Sequence, residues 1–291
     1  GISGTSAGAM NAAVLVDGYH EGGRARAKAQ LREFWFAISE EAGKLSPFGQ
    51  QPPSDYMRPV PGFEWMAALN PMDMLSRVFS PYEMNPFNYN PLRNVLERLL
   101  KNKHLQNGIP LFVTATNVET GEAVVFREQE VTIDVLLASA CLPFVYQAVE
   151  IKGTPYWDGG YMGNPAIWPL IYSTRCEDVL LVQINPIIRE GTPKSALDII
   201  NRVNEISFNS SLIAEMRAIN FVRKLIHEGK LDPKEYADVR MHRVIPPADL
   251  SGMSASSKMN ASWEFFEVLH QCGRTEMECW LAAHKSDIGK R

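Results

Sequence analysis

Gly4-Thr5-Ser6-Ala7-Gly8, followed by Ala9-Met10-Asn11-Ala12-Ala13-Val14-Leu15-Val16, is the stretch on which the reading of this chain turns. A serine hydroxyl attacks poorly unless a base takes its proton and donors await the oxyanion that the attack creates. Glycines at positions 4 and 8 permit the strained strand-to-helix turn, the nucleophile elbow, that pushes a serine outward. Ser6 is then the candidate nucleophile, with Thr5 beside it. The backbone amide of Ala7, at the positive end of the next helix, is the expected oxyanion donor. The small residues that follow predict a helix able to lie very close to a sheet.

A G-x-S-x-G match has three fixed positions, each near 7% in average composition, so chance supplies one in about a tenth of chains this long. Ser6 therefore needs a companion. Tyr156-Trp157-Asp158-Gly159-Gly160 provides one. By itself it reads as an ordinary Asp-Gly turn. Beside the elbow it reads as a carboxylate held on a tight loop, where Gly159 and Gly160 let the backbone approach another segment closely.

The remaining pattern alternates strands with helices and indicates an α/β layered fold. Leu31, Phe34, Trp35 and Ile38 recur at helical spacing over 24–42, and Leu92, Val95, Leu96 and Leu99 do so after Pro91. Between them, 43–91 mixes prolines with aromatics and methionines such as Phe63, Trp65, Met72 and Phe87. This predicts a folded, irregular excursion that either borders a pocket or packs on the core for structural reasons. Strands are expected at 111–118 and 123–126, joined by a turn at Thr120-Gly121, with a short helix over 134–141 and an extended stretch over 144–151. Val179-Leu180-Leu181-Val182-Gln183-Ile184 reads as a strand buried on both faces. From about 195 the pattern is mainly helical, with a strand at 240–245 and a last helix over 261–283. The expected organisation is a catalytic domain over 1–190 and a mainly helical extension over 191–291.

Composition narrows the function classes. A net charge of −4 over 291 residues, without a lysine and arginine cluster, gives no field for gathering phosphate backbones, so no nucleic-acid partner is expected. Cys141, Cys176, Cys272 and Cys279 form no C-x-x-C pair and are sparse for this length. They predict reduced thiols and a cytoplasmic setting, with no metal site and no cofactor. No apolar run approaches the roughly 18 residues of a membrane span.

The block from Gly4 to Ala12 resembles the nucleophile segment of bacterial patatin-like phospholipases. A second block, Ala138-Ser139-Ala140-Cys141-Leu142-Pro143 through Asp158-Gly159-Gly160 and Asn164-Pro165, is similar to the family's segment containing its catalytic aspartate. The resemblance implies an α/β/α sandwich with a mostly parallel central sheet. It also implies a Ser-Asp dyad without histidine, in which Asp158 accepts the Ser6 proton and an acyl-enzyme forms on a lipid acyl ester; the aromatic and methionine-rich span 43–91 is then expected to line an acyl pocket or to touch a membrane surface. In such enzymes a glycine-rich loop ahead of the elbow completes the oxyanion hole. No such loop precedes Gly1 in this sequence, so a piece lacking its first strand and that loop is expected. Two other readings stay open. One is an α/β-hydrolase triad with His242 or His270 as the late histidine; the other is a lipid-binding module without catalysis.

Overall fold

The computed structural model describes residues 1–45, 79–101, 105, 108–174, 176–247 and 260–290. Strand β1, Ile2–Thr5, stops one residue short of helix α1, Ala7–Leu45. The helix breaks at Gly22 and Gly23, where Gly23 takes φ 68°, a left-handed conformation that glycine adopts without a Cβ penalty. The two halves then run back along one another. Trp35 Nε1 donates to Asn11 Oδ1 at 3.0 Å, Gln30 Nε2 donates to Asp17 Oδ2, and a Cβ on Gly18 would sit 2.8 Å from the Cα of Ala27. The two helices expected over 7–16 and 24–42 are therefore arms of one helical hairpin. Its small residues Ala9, Ala12 and Ala13 are buried against the sheet.

Most of the excursion expected at 43–91 lies outside the described residues. From 79 onward come a four-residue helix α2, Pro81–Met84, and α3, Pro91–Leu99. Asn90 caps α3 by accepting the Leu92 N–H at 3.1 Å, which satisfies an amide that a helix start leaves open. Strands β2, Leu111–Asn117, and β3, Ala123–Arg127, form the expected hairpin, with Gly121 at φ 71° in its turn. Helix α4, Ile133–Ser139, follows, capped by Thr132 Oγ1 on the Val135 N–H. Strands β4, Val149–Ile151, and β5, Thr154–Asp158, complete the five-stranded sheet.

Strand β2 is the hub of that sheet. One of its edges is taken by antiparallel β3 across Phe112 to Thr116. The other is shared by two strands that meet end to end. Parallel β1 runs up to the pair Thr5↔Thr114, and antiparallel β5 arrives at the pair Ala115↔Asp158. The chain that leaves β1 and the chain that leaves β5 thus emerge at neighbouring positions of one strand edge. This junction positions the site.

The α/β class holds, and the pairing is mixed. Strands joined through helices, β1 with β2 and β6 with β7, are parallel; those joined by tight turns, together with β2·β5, are antiparallel. The core behind the sheet gathers Phe34, Leu96, Leu111, Val113, Val135, Leu136 and Leu137, all nearly inaccessible. Burying each such side chain contributes about 1.5–3 kcal/mol relative to leaving it in water.

By contact the chain divides into Gly1–Ala166 with Asn260–Ser262, and Ile167–Met259 with Trp263–Arg291, earlier than the boundary expected near 190. The reason lies in strand β6, Asp178–Val182, which pairs with β7, Arg240–Val244, in a two-stranded sheet of its own. Its residues alternate, Val179 and Leu181 buried, Leu180 and Val182 exposed, so the expectation of burial on both faces does not hold. A single covered face is what two strands over one layer of helix produce. The second unit also holds α5, Trp168–Ser173, α6, Ala196–His227, and α7, Trp263–His284. Its own core is built from Ile167, Val179, Leu181, Leu212, Ile219 and Val239.

Candidate active site

Gly4 has no room for a side chain, because a Cβ there would lie 2.6 Å from the carbonyl oxygen of Gly8. The strand and helix touch at this point, and the chain must turn sharply between them. Ser6 makes the turn with φ 54°, one of four described non-glycine residues at positive φ. Such a conformation costs on the order of 1–3 kcal/mol and persists only where surrounding structure enforces it. Ser6 then heads α1, its carbonyl accepting the Met10 N–H at 3.1 Å. Ala7 and Gly8 are exposed, and the first amides of a helix have no acceptor within it. Those N–H groups form the positive end of α1, next to Ser6 in the chain.

Asp158 closes β5 and opens a one-turn 3₁₀ helix, Gly159–Tyr161. Its backbone is held on both sides. The Asp158 N–H donates to Cys141 O at 2.8 Å, and Thr116 Oγ1 donates to Asp158 O at 2.8 Å. The carboxyl is 1% exposed. Oδ1 accepts the Gly160 N–H at 2.7 Å, whereas Oδ2 is buried with no hydrogen bond of good geometry. Burial raises the pKa of this carboxyl above the ordinary carboxylate range, opposed by hydrogen bonding from the Ser6 hydroxyl and then from the Gly160 amide. Hydroxyl and carboxyl thus face one another, with the free lone pairs on Oδ2.

Further hydroxyls tie the elbow to the aspartate loop. Thr5 Oγ1 donates to Gly163 O at 2.7 Å, and Ser3 Oγ donates to Ala166 O at 2.6 Å. Ser139 Oγ accepts the Ser6 N–H at 2.9 Å and donates to Thr114 O at 2.7 Å.

The structure brings the sequence-derived set, Gly4, Thr5, Ser6, Ala7 and Gly8 with Asp158, Gly159 and Gly160, to the single junction on β2. Sequence reasoning missed Ser139 and Thr116. Ser139 had a faint signal, as a polar residue closing the fully buried run Leu136-Leu137-Ala138. The two late histidines sit in the other unit. His242 Nε2 lies 2.8 Å from Asp178 Oδ1, and His270 is exposed on α7. Among the described residues of the first unit no histidine bonds to Ser6 or Asp158. Cys141, next to Asp158 in space, is no rival nucleophile: burial pushes its thiol up to about 11, which keeps it protonated.

Exposed apolar side chains follow α4 and the aspartate turn. The loop after α4 exposes Leu142, Phe144 and Val145, with Phe144 at 72%, and Met162 is exposed just beyond the aspartate turn. Cys141 Sγ donates to Gln147 O at 3.1 Å. Gln147 Nε2 donates to Asn85 O at 2.7 Å, and the Ala148 N–H donates to Tyr82 Oη at 3.3 Å. These bonds hold the loop beside the segment that carries Phe87, itself 94% exposed. Among the described residues no set of three or more His, Cys, Asp or Glu side chains is placed to hold a metal ion, and no helix is long and apolar enough to cross a membrane.

No curated protein matches the chain. Residues 1–171, more than half of the chain, match the patatin-like phospholipase family. The chain belongs to that family and carries its lipid acyl hydrolase domain.

Proposed function

We propose, with that membership as the premise, that the chain hydrolyses acyl esters of phospholipids or lysophospholipids through a dyad of Ser6 and Asp158. Asp158 Oδ2 takes the Ser6 proton as Oγ forms a bond to the ester carbonyl carbon. The resulting oxyanion lies at the start of α1, where the Ala7 amide donates to it. Collapse breaks the ester bond, and the departing alcohol carries off the proton held by Asp158. Water then attacks the acyl-enzyme, again giving its proton to Asp158, and the fatty acid leaves as Ser6 recovers its own.

One observation carries the reading. The Ser6 hydroxyl, presented at φ 54° by the elbow, faces a carboxyl whose Oδ2 is buried and accepts no well-formed hydrogen bond. A carboxylate at its ordinary pKa is a weak base, and desolvation is what brings it closer to the task. Exposed Leu142, Phe144, Val145, Met162 and Phe87 suit a substrate drawn from a lipid aggregate, whose acyl chains they meet without dehydrating polar groups.

A fluorophosphonate probe tests the assignment directly. Labelling should occur on Ser6, vanish in Ser6→Ala and fall sharply in Asp158→Asn. Labelling that survives Ser6→Ala contradicts the nucleophile. Lipid binding with no labelling of the wild type points to a module without catalysis.

A further inference from the structure

Ser6 needs more than a base. Its attack geometry depends on a backbone conformation that a non-glycine residue does not choose unaided, φ 54°, and on the direction in which the first turn of α1 points. The Ser6 N–H is the amide at the apex of the turn, and a helix start provides it with no acceptor. That acceptor comes from a residue 133 positions away. Ser139 Oγ takes the Ser6 N–H at 2.9 Å.

The same oxygen donates to Thr114 O at 2.7 Å, and Thr114 stands opposite Thr5 where β1 ends on β2. Ser139 is fully buried and is the last residue of α4, whose Leu136 and Leu137 are locked in the core. A hydroxyl that donates in one direction and accepts in the other has both partners fixed, so its position is determined. From these contacts we infer that Ser139 is a positioning residue for the nucleophile: it pins the elbow amide to the central strand and so sets the line of approach of Ser6 Oγ. This rests on the dyad reading. Ser139 Oγ hydrogen-bonds to the Ser6 amide and to Thr114 O, not to Asp158 or Ser6 Oγ, and its effect passes through the Ser6 backbone.

The consequence is specific. A misplacement of about 1 Å at a reacting group costs roughly 100-fold in rate, so releasing the amide should slow attack on a small ester and on a fluorophosphonate by roughly 10- to 100-fold. KM for the small ester should barely move, and the acid limb of the pH profile, which belongs to Asp158, should stay in place.

The test compares three variants in the full-length protein, with the rate of fluorophosphonate labelling expressed per folded molecule. Ser139→Ala removes the bridge and leaves a small void. Ser139→Cys fills the void with a group that hydrogen-bonds weakly. Thr132→Ala removes the N-cap at the other end of the same helix and destabilises α4 without touching Ser6. Slow labelling in both Ser139 variants, with Thr132→Ala near wild type at similar loss of thermal stability, is the expected result. If Ser139→Cys labels at the wild-type rate, packing alone matters and the inference falls. It falls equally if Thr132→Ala slows labelling as much as Ser139→Ala. Absence of labelling at Ser6 in the wild type itself would refute the dyad reading, and is thereby distinguished from failure of the Ser139 role.

Discussion

A Cβ atom placed on Gly159 would lie 2.1 Å from the carbonyl oxygen of Thr114. No heavy-atom contact of that kind is tolerated, so the loop bearing Asp158 presses on β2 as closely as bare backbone allows. Gly159→Ala must therefore push the loop away and carry Asp158 with it. The expected outcome is a loss of about 100-fold or more in ester hydrolysis together with a lower melting temperature. Kinetics on a short-chain ester and a thermal melt check the two arms.

Asp158 sets a pH dependence whose sign follows from proton counts. Burial holds its pKa above the ordinary range in the folded chain. Between the two values the folded state keeps a proton that the unfolded state has released, so stability falls as pH rises through that window. Ionised Asp158 is thus a burden on folding at neutral pH. Asp158→Asn keeps the shape without the charge. It should melt above the wild type at pH 7, converge with it as pH falls toward the ordinary carboxylate range, and lose hydrolysis throughout. In the wild type the acid limb of kcat/KM should lie above the pKa of a free aspartate.

Thr116 anchors the carbonyl of Asp158 through a buried hydroxyl. Thr116→Val preserves the shape and leaves that acceptor short of a donor. The cost should be about 1–3 kcal/mol in urea unfolding, with a several-fold fall in kcat. An unchanged kcat at the reduced stability would show that the bond steadies the fold without guiding the carboxyl.

What the sequence revealed and what it hid divide along physical lines. Close backbone contacts exclude every side chain, so Gly4 and Gly159 had to be glycine and could be read from the chain. Hydroxyl bridges impose no such exclusivity. Ser139 and Thr116 look like any serine or threonine in an apolar stretch until β1, β2 and β5 are brought together, and that meeting of two strands on one edge is set by pairings such as Thr5↔Thr114, 109 residues apart by their numbers. The unit boundary was obscured for a related reason. An apolar run such as Val179 to Ile184 has the same letters whether one face or two are covered, and β6 has only one.

Cysteine reactivity should separate by burial. Cys176 and Cys279 are exposed, whereas Cys141 is buried with its thiol up to about 11. Iodoacetamide at pH 8 should modify the first two in the native chain and reach Cys141 only after unfolding. Mass mapping of alkylated peptides with and without denaturant gives the answer.

Phe144 should matter only at an interface. It projects from the loop next to Asp158 with most of its surface in water. Phe144→Ser should lower hydrolysis of vesicle-borne phospholipid several-fold while sparing a monomeric short-chain ester. Equal losses on both substrates would assign the side chain a structural role.

The turn at Gly22 and Gly23 has a kinetic meaning as well. The contacts that close the α1 hairpin, Trp35 with Asn11 and Gln30 with Asp17, span only 24 and 13 residues, whereas β1 must wait for β2 across more than a hundred. Short loops close at small entropic cost and long ones later. The hairpin is thus positioned to form first as a preassembled plank, and the strand that delivers Ser6, attached to its end, then docks on β2.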